Sequence, residues 1–234
     1  MSDSHQKKSQ EDNSKVASEL NNLIQIISGT SSLIENIWEG RPGSEKYFEM
    51  LRASIERAEQ VTAQLVAQAG GTNRKRLLPS DLEQRFDEAL IAGVPHQRKH
   101  SILVVDDEPM ALELLHGVLT DAGYEVAVAQ SGFESLDRFR RDAHAYDLIL
   151  MDLSMPLMDG EETFERLRQM SSTVNVVLMA GFVDSGHLEK MMNNGLSGFV
   201  GKPFAPVEIL AVVTSVISGA EQSKEGRNGI AAAV

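Results

Sequence analysis

The stretch that decides the fold reads LILMDLSMPLMDG and occupies residues 148–160. Four apolar residues come first, and Asp152 follows them directly. Pro156 marks a turn, and a helical pattern of apolar spacing begins at Gly160. A short apolar run that leads through a turn into a helix is typical of one strand–helix unit of a parallel sheet.

The same unit recurs along residues 101–220. Apolar runs at 102–105, 125–129, 148–151, 174–179 and 198–201 predict strands, and helical patterns at 109–122, 131–143, 160–170, 184–194 and 205–218 alternate with them. This alternation predicts an α/β doubly wound, five-stranded parallel sheet with helices on both faces. In such a sheet the functional residues gather at the carboxyl ends of the strands.

Charged side chains follow three of the predicted strands. Asp106 and Asp107 follow the first, Asp152 the third and Lys202 the fifth. Carboxylates this close repel one another unless a hard cation lies among them, and an oxygen-lined site with few ligands suits Mg2+. The lysine would add a positive charge for an anion bound beside the metal. Phosphoryl transfer onto a carboxylate is the chemistry that uses all of these groups.

Three motifs here resemble those of the receiver domain of two-component response regulators, a flavodoxin-like fold. They are VVDDEP at 104–109, LILMDLSMPLMDG at 148–160 and GFVGKPF at 198–204. The resemblance implies that Asp152 is the phosphoacceptor for a separate histidine kinase or phosphotransfer protein. It implies that Asp107, Asp152 and the backbone carbonyl of Ser154 ligate Mg2+, while Asp106 acts through a metal-bound water. It also implies that Lys202 contacts the phosphoryl group and precedes a cis peptide bond.

One position departs from the receiver pattern. The fourth predicted strand ends at Ala180, where the family carries Thr or Ser. The missing hydroxyl normally bonds the phosphoryl oxygen and couples to an aromatic residue, here Phe199, which turns inward. We expect a receiver that is phosphorylated but answers with a weakened conformational change.

The N-terminal part of the chain has helical periodicity. A first series of mostly apolar residues recurs at alternating steps of four and three and forms one seam of a helix: Val16, Leu20, Leu23, Ile27, Thr30, Ile34 and Ile37. A second series with the same spacing runs from residue 48 to residue 65. A turn at 39–44 separates the two series, which predicts a helical hairpin over residues 15–70. Because such a hairpin cannot bury both seams alone, we expect a homodimer in which two hairpins form a four-helix bundle. Packing on its own C-terminal domain is the alternative.

This hairpin resembles the dimerisation and histidine phosphotransfer domain of sensor kinases over about residues 12–70. The motifs are ASELNNLI at 17–24 and ERAEQVTAQL at 56–65. Ser18 stands where the resemblance implies the phosphorylated histidine, and the roughly 30 residues before the receiver contain no glycine-rich nucleotide box. We therefore expect a pseudo-histidine kinase hairpin without autokinase activity.

A polar stripe lies beside the seam of the first predicted helix, at Ser18, Asn22, Gln25, Gly29 and Ser32. We expect this stripe to be where a receiver docks, such as that of another protein. Glu19 and Asn22 lie one turn apart, and related kinases and some receiver phosphatases use an amide or hydroxyl so placed to orient the water that hydrolyses aspartyl phosphate. Either the pair makes the chain a receiver phosphatase, or Asn22 is a solvent-facing helix residue.

The composition excludes several classes of protein. No cysteine occurs among the 234 residues, so disulfides, thiolate metal sites and cysteine nucleophiles are absent. No apolar run approaches the roughly 18 residues of a membrane span. The net charge of −12, most of it in 101–234, disfavours nucleic acid. We expect a cytoplasmic protein that binds neither membrane nor nucleic acid.

Three segments complete the predicted organisation. Residues 1–14 and 221–234 are predicted to be a disordered lead and tail, and residues 71–100 a linker with one short helix that begins at a capping box, SDLE at 80–83. Together, the motifs and the domain organisation predict a phosphorelay signalling protein whose receiver regulates an adaptor-like helical domain. A receiver phosphatase and a phosphate sink are the alternatives.

Overall fold

A computed structural model of the chain describes residues 16–17, 20–29, 31, 45–68, 76–79, 82–83, 85–86 and 100–231. The predicted disordered lead at 1–14, the predicted turn at 39–44 and most of the predicted linker at 71–100 lie outside the described residues.

The helices and strands alternate from Ser101 onward. In chain order the helices are α1, whose described residues are 16–17, 20–29 and 31, α2 (Glu45–Gln68), α3 (Pro109–Asp121), α4 (Gly132–Arg141), α5 (Gly160–Met170), α6 (Ser185–Asn193) and α7 (Pro206–Ala231). The strands are β1 (Arg76–Leu77), β2 (Ser101–Val105), β3 (Glu125–Ala129), β4 (Leu148–Asp152), β5 (Asn175–Ala180) and β6 (Gly198–Gly201). Residues 82–83 and 85–86 are also helical.

The strands form one sheet in the order β1-β6-β5-β4-β2-β3. Strand β2 pairs in parallel with β3 and with β4, and β4 pairs in parallel with β5. Every residue of the central strand β4 is buried, which explains why apolar residues occupy all of its positions before Asp152. The predicted parallel α/β sheet is confirmed.

The number of strands was predicted wrongly, because the sheet has six strands and not five. The additional strand β1 pairs antiparallel with β6, Arg76 opposite Val200 and Leu77 opposite Phe199. Two residues, one of them charged, produce no strand periodicity. The strand forms because the edge of β6 offers unpaired backbone groups, which a passing segment can satisfy.

The segment after β1 is held to the sheet by apolar side chains. Leu78, Leu82 and Phe86 are all buried. Arg76 stacks 3.4 Å above the Phe86 ring and donates a hydrogen bond of 2.7 Å to Glu83. This part of the predicted linker is therefore packed structure.

The C-terminal helix is longer than predicted. Helix α7 continues to Ala231, so residues 221–231 of the predicted disordered tail are helical. The apolar spacing that marked the helix ends near residue 218, so periodicity alone did not extend the predicted helix to Ala231. Among the described residues, no helix is both long enough and apolar enough to cross a membrane.

The chain divides into two compact units. The first contains the N-terminal residues to 75 together with 180–190 and 201–205, and the second contains 76–179, 191–200 and 206–234. In the first unit the predicted seam of α1 is largely exposed, since Val16, Leu23 and Ile27 are 51%, 54% and 48% accessible. The buried side chains of α1 include Ala17, Asn21 and Gln25, which lie on the neighbouring face.

Helix α5 begins immediately beside the end of β4. Its first residue, Gly160, donates its backbone N–H to the Leu153 carbonyl at 2.9 Å, and Asp159 caps the helix by accepting from Glu162. A Cβ atom on Gly160 would lie 2.5 Å from the Asp152 carbonyl oxygen and 2.8 Å from the Leu153 Cα. Only glycine permits this approach, because both neighbours are backbone atoms.

Replacing Gly160 by alanine should destabilise the protein by about 1–3 kcal/mol, because the added methyl forces α5 away from β4. The matched control is Gly117→Ala within α3, where a Cβ meets nothing within 4 Å. That change should stabilise by about 0.5–1 kcal/mol through helix propensity. Urea unfolding of both variants measures the difference, and a Gly160→Ala protein as stable as the wild type would contradict the packing described here.

Candidate functional site

Three carboxylates meet at the carboxyl ends of two neighbouring strands. Asp106 and Asp107 follow β2, and Asp152 is the last residue of β4. One oxygen from each of the three lies within 4.8 Å of the others. Asp106 and Asp152 are buried, at 0% and 1% exposure, while Asp107 is exposed. The predicted acidic cluster is therefore assembled with one side open to solvent.

Backbone hydrogen bonds orient the two buried carboxylates. Asp106 Oδ1 accepts from the backbone N–H of Glu108, and Asp152 Oδ2 accepts from that of Ser154, both at 2.9 Å. The backbone N–H of Asp106 itself donates to the Ala129 carbonyl at 3.2 Å. Each carboxylate is thus fixed by the turn that follows its own strand.

The acidic cluster fits a hard divalent cation. Three anionic oxygens so close together, two of them removed from water, would repel strongly without a positive charge between them. Oxygen donors with open coordination positions are what Mg2+ prefers, since it keeps several of its own waters.

The loop after β4 holds its backbone in an uncommon conformation. Leu157 has a φ of 69°, in the left-handed region, and its side chain is 93% exposed. Met110 and Phe133, in the first turns of α3 and α4, are each 53% exposed. These three apolar side chains all follow carboxyl ends of strands, so they lie at the edge of the sheet that carries the acidic cluster.

Lys202 follows β6 directly and belongs to the first unit. It is 5% exposed, and its backbone N–H donates to the Ala180 carbonyl at 2.8 Å. Its ammonium Nζ donates to Asn22 Oδ1 on α1 at 3.1 Å. The Lys202–Pro203 peptide bond is cis, which confirms that prediction.

Two amides of α1 contact the main chain of the same unit. Asn21 donates to the Gly181 carbonyl at 2.6 Å, and Gln25 bonds to both the N–H and the carbonyl of Phe204. Gln25 was part of the predicted polar stripe, but Asn21 was not. The only signal for Asn21 was its place in the Asn21-Asn22 pair, and spacing alone could not show which amide would be buried.

The two residues of the predicted switch are buried. Ala180 and Phe199 are each 1% exposed, and Phe199 lies opposite Leu77 in the sheet. Ser18, Glu19 and Ser32, which were predicted site residues of the first helix, lie outside the described residues.

Comparison with known families identifies the C-terminal part of the chain. Residues 102–214 match the family model described as the response regulator receiver domain. These residues form a receiver domain. Receiver domains typically bind Mg2+ at an acidic pocket, and Asp106, Asp107 and Asp152 form such a cluster.

The relatives of this receiver occur in proteins of different organisation. The chain is 32% identical over 127 residues to a probable transcriptional regulator, ycf27, of Cyanidium caldarium, covering 54% of this chain and 50% of that protein. It is 28% identical over 159 residues to the sensor protein GacS of Pseudomonas syringae, covering 65% of this chain and 17% of that protein. The chain thus spans half or less of the length of these two relatives.

Solved structures agree on the fold. A CheY-like receiver domain protein from Methanospirillum hungatei superposes with a TM-score of 0.51 at 24% identity, covering 54% of this chain and 99% of that one. This likeness is one of fold, and it covers the region of the alternating strands and helices.

Proposed function

We propose that this chain is a response regulator whose receiver is phosphorylated on Asp152 by a separate histidine kinase or phosphotransfer protein. The observation that carries the proposal is the acidic cluster, in which a buried carboxylate at the end of β4 lies within 4.8 Å of two others. In the transfer, the bond from phosphorus to one imidazole nitrogen of the donor breaks and a bond to a carboxylate oxygen of Asp152 forms. The released nitrogen keeps the bonding electron pair, and the proton on the other ring nitrogen leaves the donor imidazole neutral.

Asp106, Asp107, Asp152 and the backbone carbonyl of Ser154 would hold Mg2+ in this proposal. When bound, the ion offsets the charge of the carboxylates and of the incoming phosphoryl group. The N–H groups of Ser154 and Glu108 keep the carboxylates of Asp152 and Asp106 in fixed orientations. Because this orientation exists before the donor arrives, little free energy is needed to order the nucleophile during the transfer.

Lys202 is the proposed phosphoryl contact, by its resemblance to the receiver motif GKPF. Its position directly after β6 supports that assignment. Ala180 lacks the hydroxyl of the usual switch, so we propose that phosphorylation changes the conformation near Ala180 and Phe199 only weakly.

The N-terminal helices are proposed to be a dimeric adaptor derived from a kinase dimerisation domain. The exposed positions Val16, Leu23 and Ile27 support this, because they repeat at steps that place them on one face of α1. A second copy of the chain, with the same seam, would cover them in a four-helix bundle. The similarity to the sensor protein GacS, which extends beyond the receiver match, is consistent with kinase ancestry.

A receiver phosphatase is the second candidate function, and a phosphate sink without output is the third. The observation that favours the phosphatase is the 3.1 Å hydrogen bond between Asn22 and Lys202, which puts a carboxamide beside the proposed phosphoryl contact. Asn22 would orient the hydrolytic water, with Glu19 as its partner one turn away.

Incubation with acetyl phosphate and Mg2+ should add one phosphoryl group to the wild-type chain and none to Asp152→Asn, measured by intact mass. The amide of asparagine has no anionic oxygen to attack phosphorus. The control is Asp137→Asn on the exposed face of α4, which should label as the wild type does. An unlabelled wild-type chain, or a labelled Asp152→Asn, would refute the assignment.

Placing a charge on the exposed seam should dissociate the dimer. Sedimentation of the full chain is expected to give a dimer for the wild type and a monomer for Leu23→Lys, since an ammonium in the bundle core lacks a partner. Gln60→Lys, at an exposed position of α2, should remain dimeric. A monomeric wild-type chain would exclude the adaptor dimer.

The phosphatase candidate predicts that Asn22→Ala retains its label longer. If the carboxamide orients the water, the half-life of the aspartyl phosphate should lengthen by about 10- to 100-fold, in line with the usual contribution of one positioned catalytic group. Equal half-lives in wild type and variant, after the labelling reagent is removed, would reject this function.

A further inference from the structure

The buried face of helix α1 carries two amides beside the apolar Ala17 and Ile24. Asn21 and Gln25 are each 4% exposed, whereas Leu23 between them is 54% exposed. A buried amide costs free energy unless its donor and acceptor are both satisfied. The partners of these amides therefore reveal what the face is built to contact.

Gln25 forms two hydrogen bonds with the main chain of a single residue, Phe204. Its Oε1 accepts from the Phe204 N–H at 2.5 Å, and its Nε2 donates to the Phe204 carbonyl at 3.0 Å. This pair requires a side chain that carries a donor and an acceptor next to each other, as a carboxamide does. An ionised glutamate or an apolar residue could not make both bonds.

Asn21 fits against a glycine in the same unit. Its Nδ2 donates to the Gly181 carbonyl at 2.6 Å. A Cβ on Gly181 would lie 2.5 Å from the Asn21 Cβ and 2.8 Å from its Nδ2. The approach of α1 to this backbone thus depends on glycine at 181.

Asn22 completes the row of amides. Its Oδ1 accepts from the Lys202 ammonium at 3.1 Å, and the lysine is 5% exposed. A hydrogen bond to a charged donor is stronger than one between neutral groups. Two main-chain sites and one charged side chain are therefore recognised by three residues within about one turn of α1.

We propose that α1 is the intrachain ligand of the surface formed by residues 180–190 and 201–205, and that this docking withholds Lys202 from an incoming phosphoryl donor. Asn21 and Gln25 supply recognition of the main chain, and Asn22 holds the ammonium. A donor that needs Lys202 then competes with α1. The docking is inferred from the hydrogen bonds of Asn21, Asn22 and Gln25. Its effect on phosphorylation rests on the proposed function.

Hydrogen exchange of the Phe204 amide tests the docking without any phosphorylation. In the full chain, Gln25→Ala removes the acceptor of that N–H, and Gly181→Ala pushes α1 away from the opposite side of the contact. Both should speed exchange at Phe204 by about tenfold or more, because local opening then requires less free energy. Gln64→Ala, an exposed glutamine on α2, is the matched control and should leave the exchange unchanged.

The initial rate of labelling by acetyl phosphate tests the effect on Lys202. Gln25→Ala and Gly181→Ala should label about three- to tenfold faster than the wild type and Gln64→Ala, the change expected when one strong contact of a docked state is lost. Near-ultraviolet circular dichroism confirms that each variant is folded.

The outcomes separate the two proposals. Unchanged exchange at Phe204 in both variants would overturn the docking. Faster exchange with equal or slower labelling would overturn the withholding of Lys202. A wild-type chain that takes no label refutes the proposed function and the withholding with it, and exchange at Phe204 still decides the docking.

Discussion

Two carboxylates buried side by side are the constraint on which the receiver depends. Asp106 and Asp152 are almost fully removed from water, and each buried charge costs several kcal/mol unless it is paired or neutralised. The parallel sheet brings them together because β2 and β4 are neighbours that run in the same direction. The cost of assembling the site is therefore met by the sheet, in which β4 is buried along its whole length and β2 is buried from its second residue onward.

The same constraint shapes the chain after β4. The loop must turn the Ser154 N–H toward Asp152 and then bring α5 back against the strand it has just left. Gly160 permits the return, and Leu157 takes a left-handed backbone conformation that costs about 1 kcal/mol in a residue with a Cβ. Local strain and close approach both lie within eight residues of the proposed phosphoacceptor, where orientation of one carboxylate matters more than loop stability.

Sequence periodicity predicted those parts of the fold in which burial follows from local pattern. The five strands from Ser101 onward were located within one residue of their observed bounds, because each is a short apolar run between turn or helix signals. Asp106, Asp107 and Asp152 could be grouped in advance, because strand ends meet at one edge of a parallel sheet.

The amide face of α1 was not predictable in the same way. Heptad spacing selected Val16, Leu23 and Ile27 as the buried positions, whereas hydrogen bonds to distant main chain bury Asn21 and Gln25. Strand β1 was missed for a related reason, since its pairing is set by the open edge of β6 and not by its own two residues.

Position 180, at the end of β5, is an alanine and lacks the hydroxyl expected of a receiver, so other groups must contact the ends of β5 and β6. An alanine methyl there cannot donate a hydrogen bond to a phosphoryl oxygen. The neighbouring main chain at Gly181 and Phe204 is bound by α1, and Phe199 is paired with Leu77 of β1. Since ligands shift conformations only through contacts that differ between states, a change in the main chain at Gly181 or Phe204 would alter the contacts of α1 within the same unit.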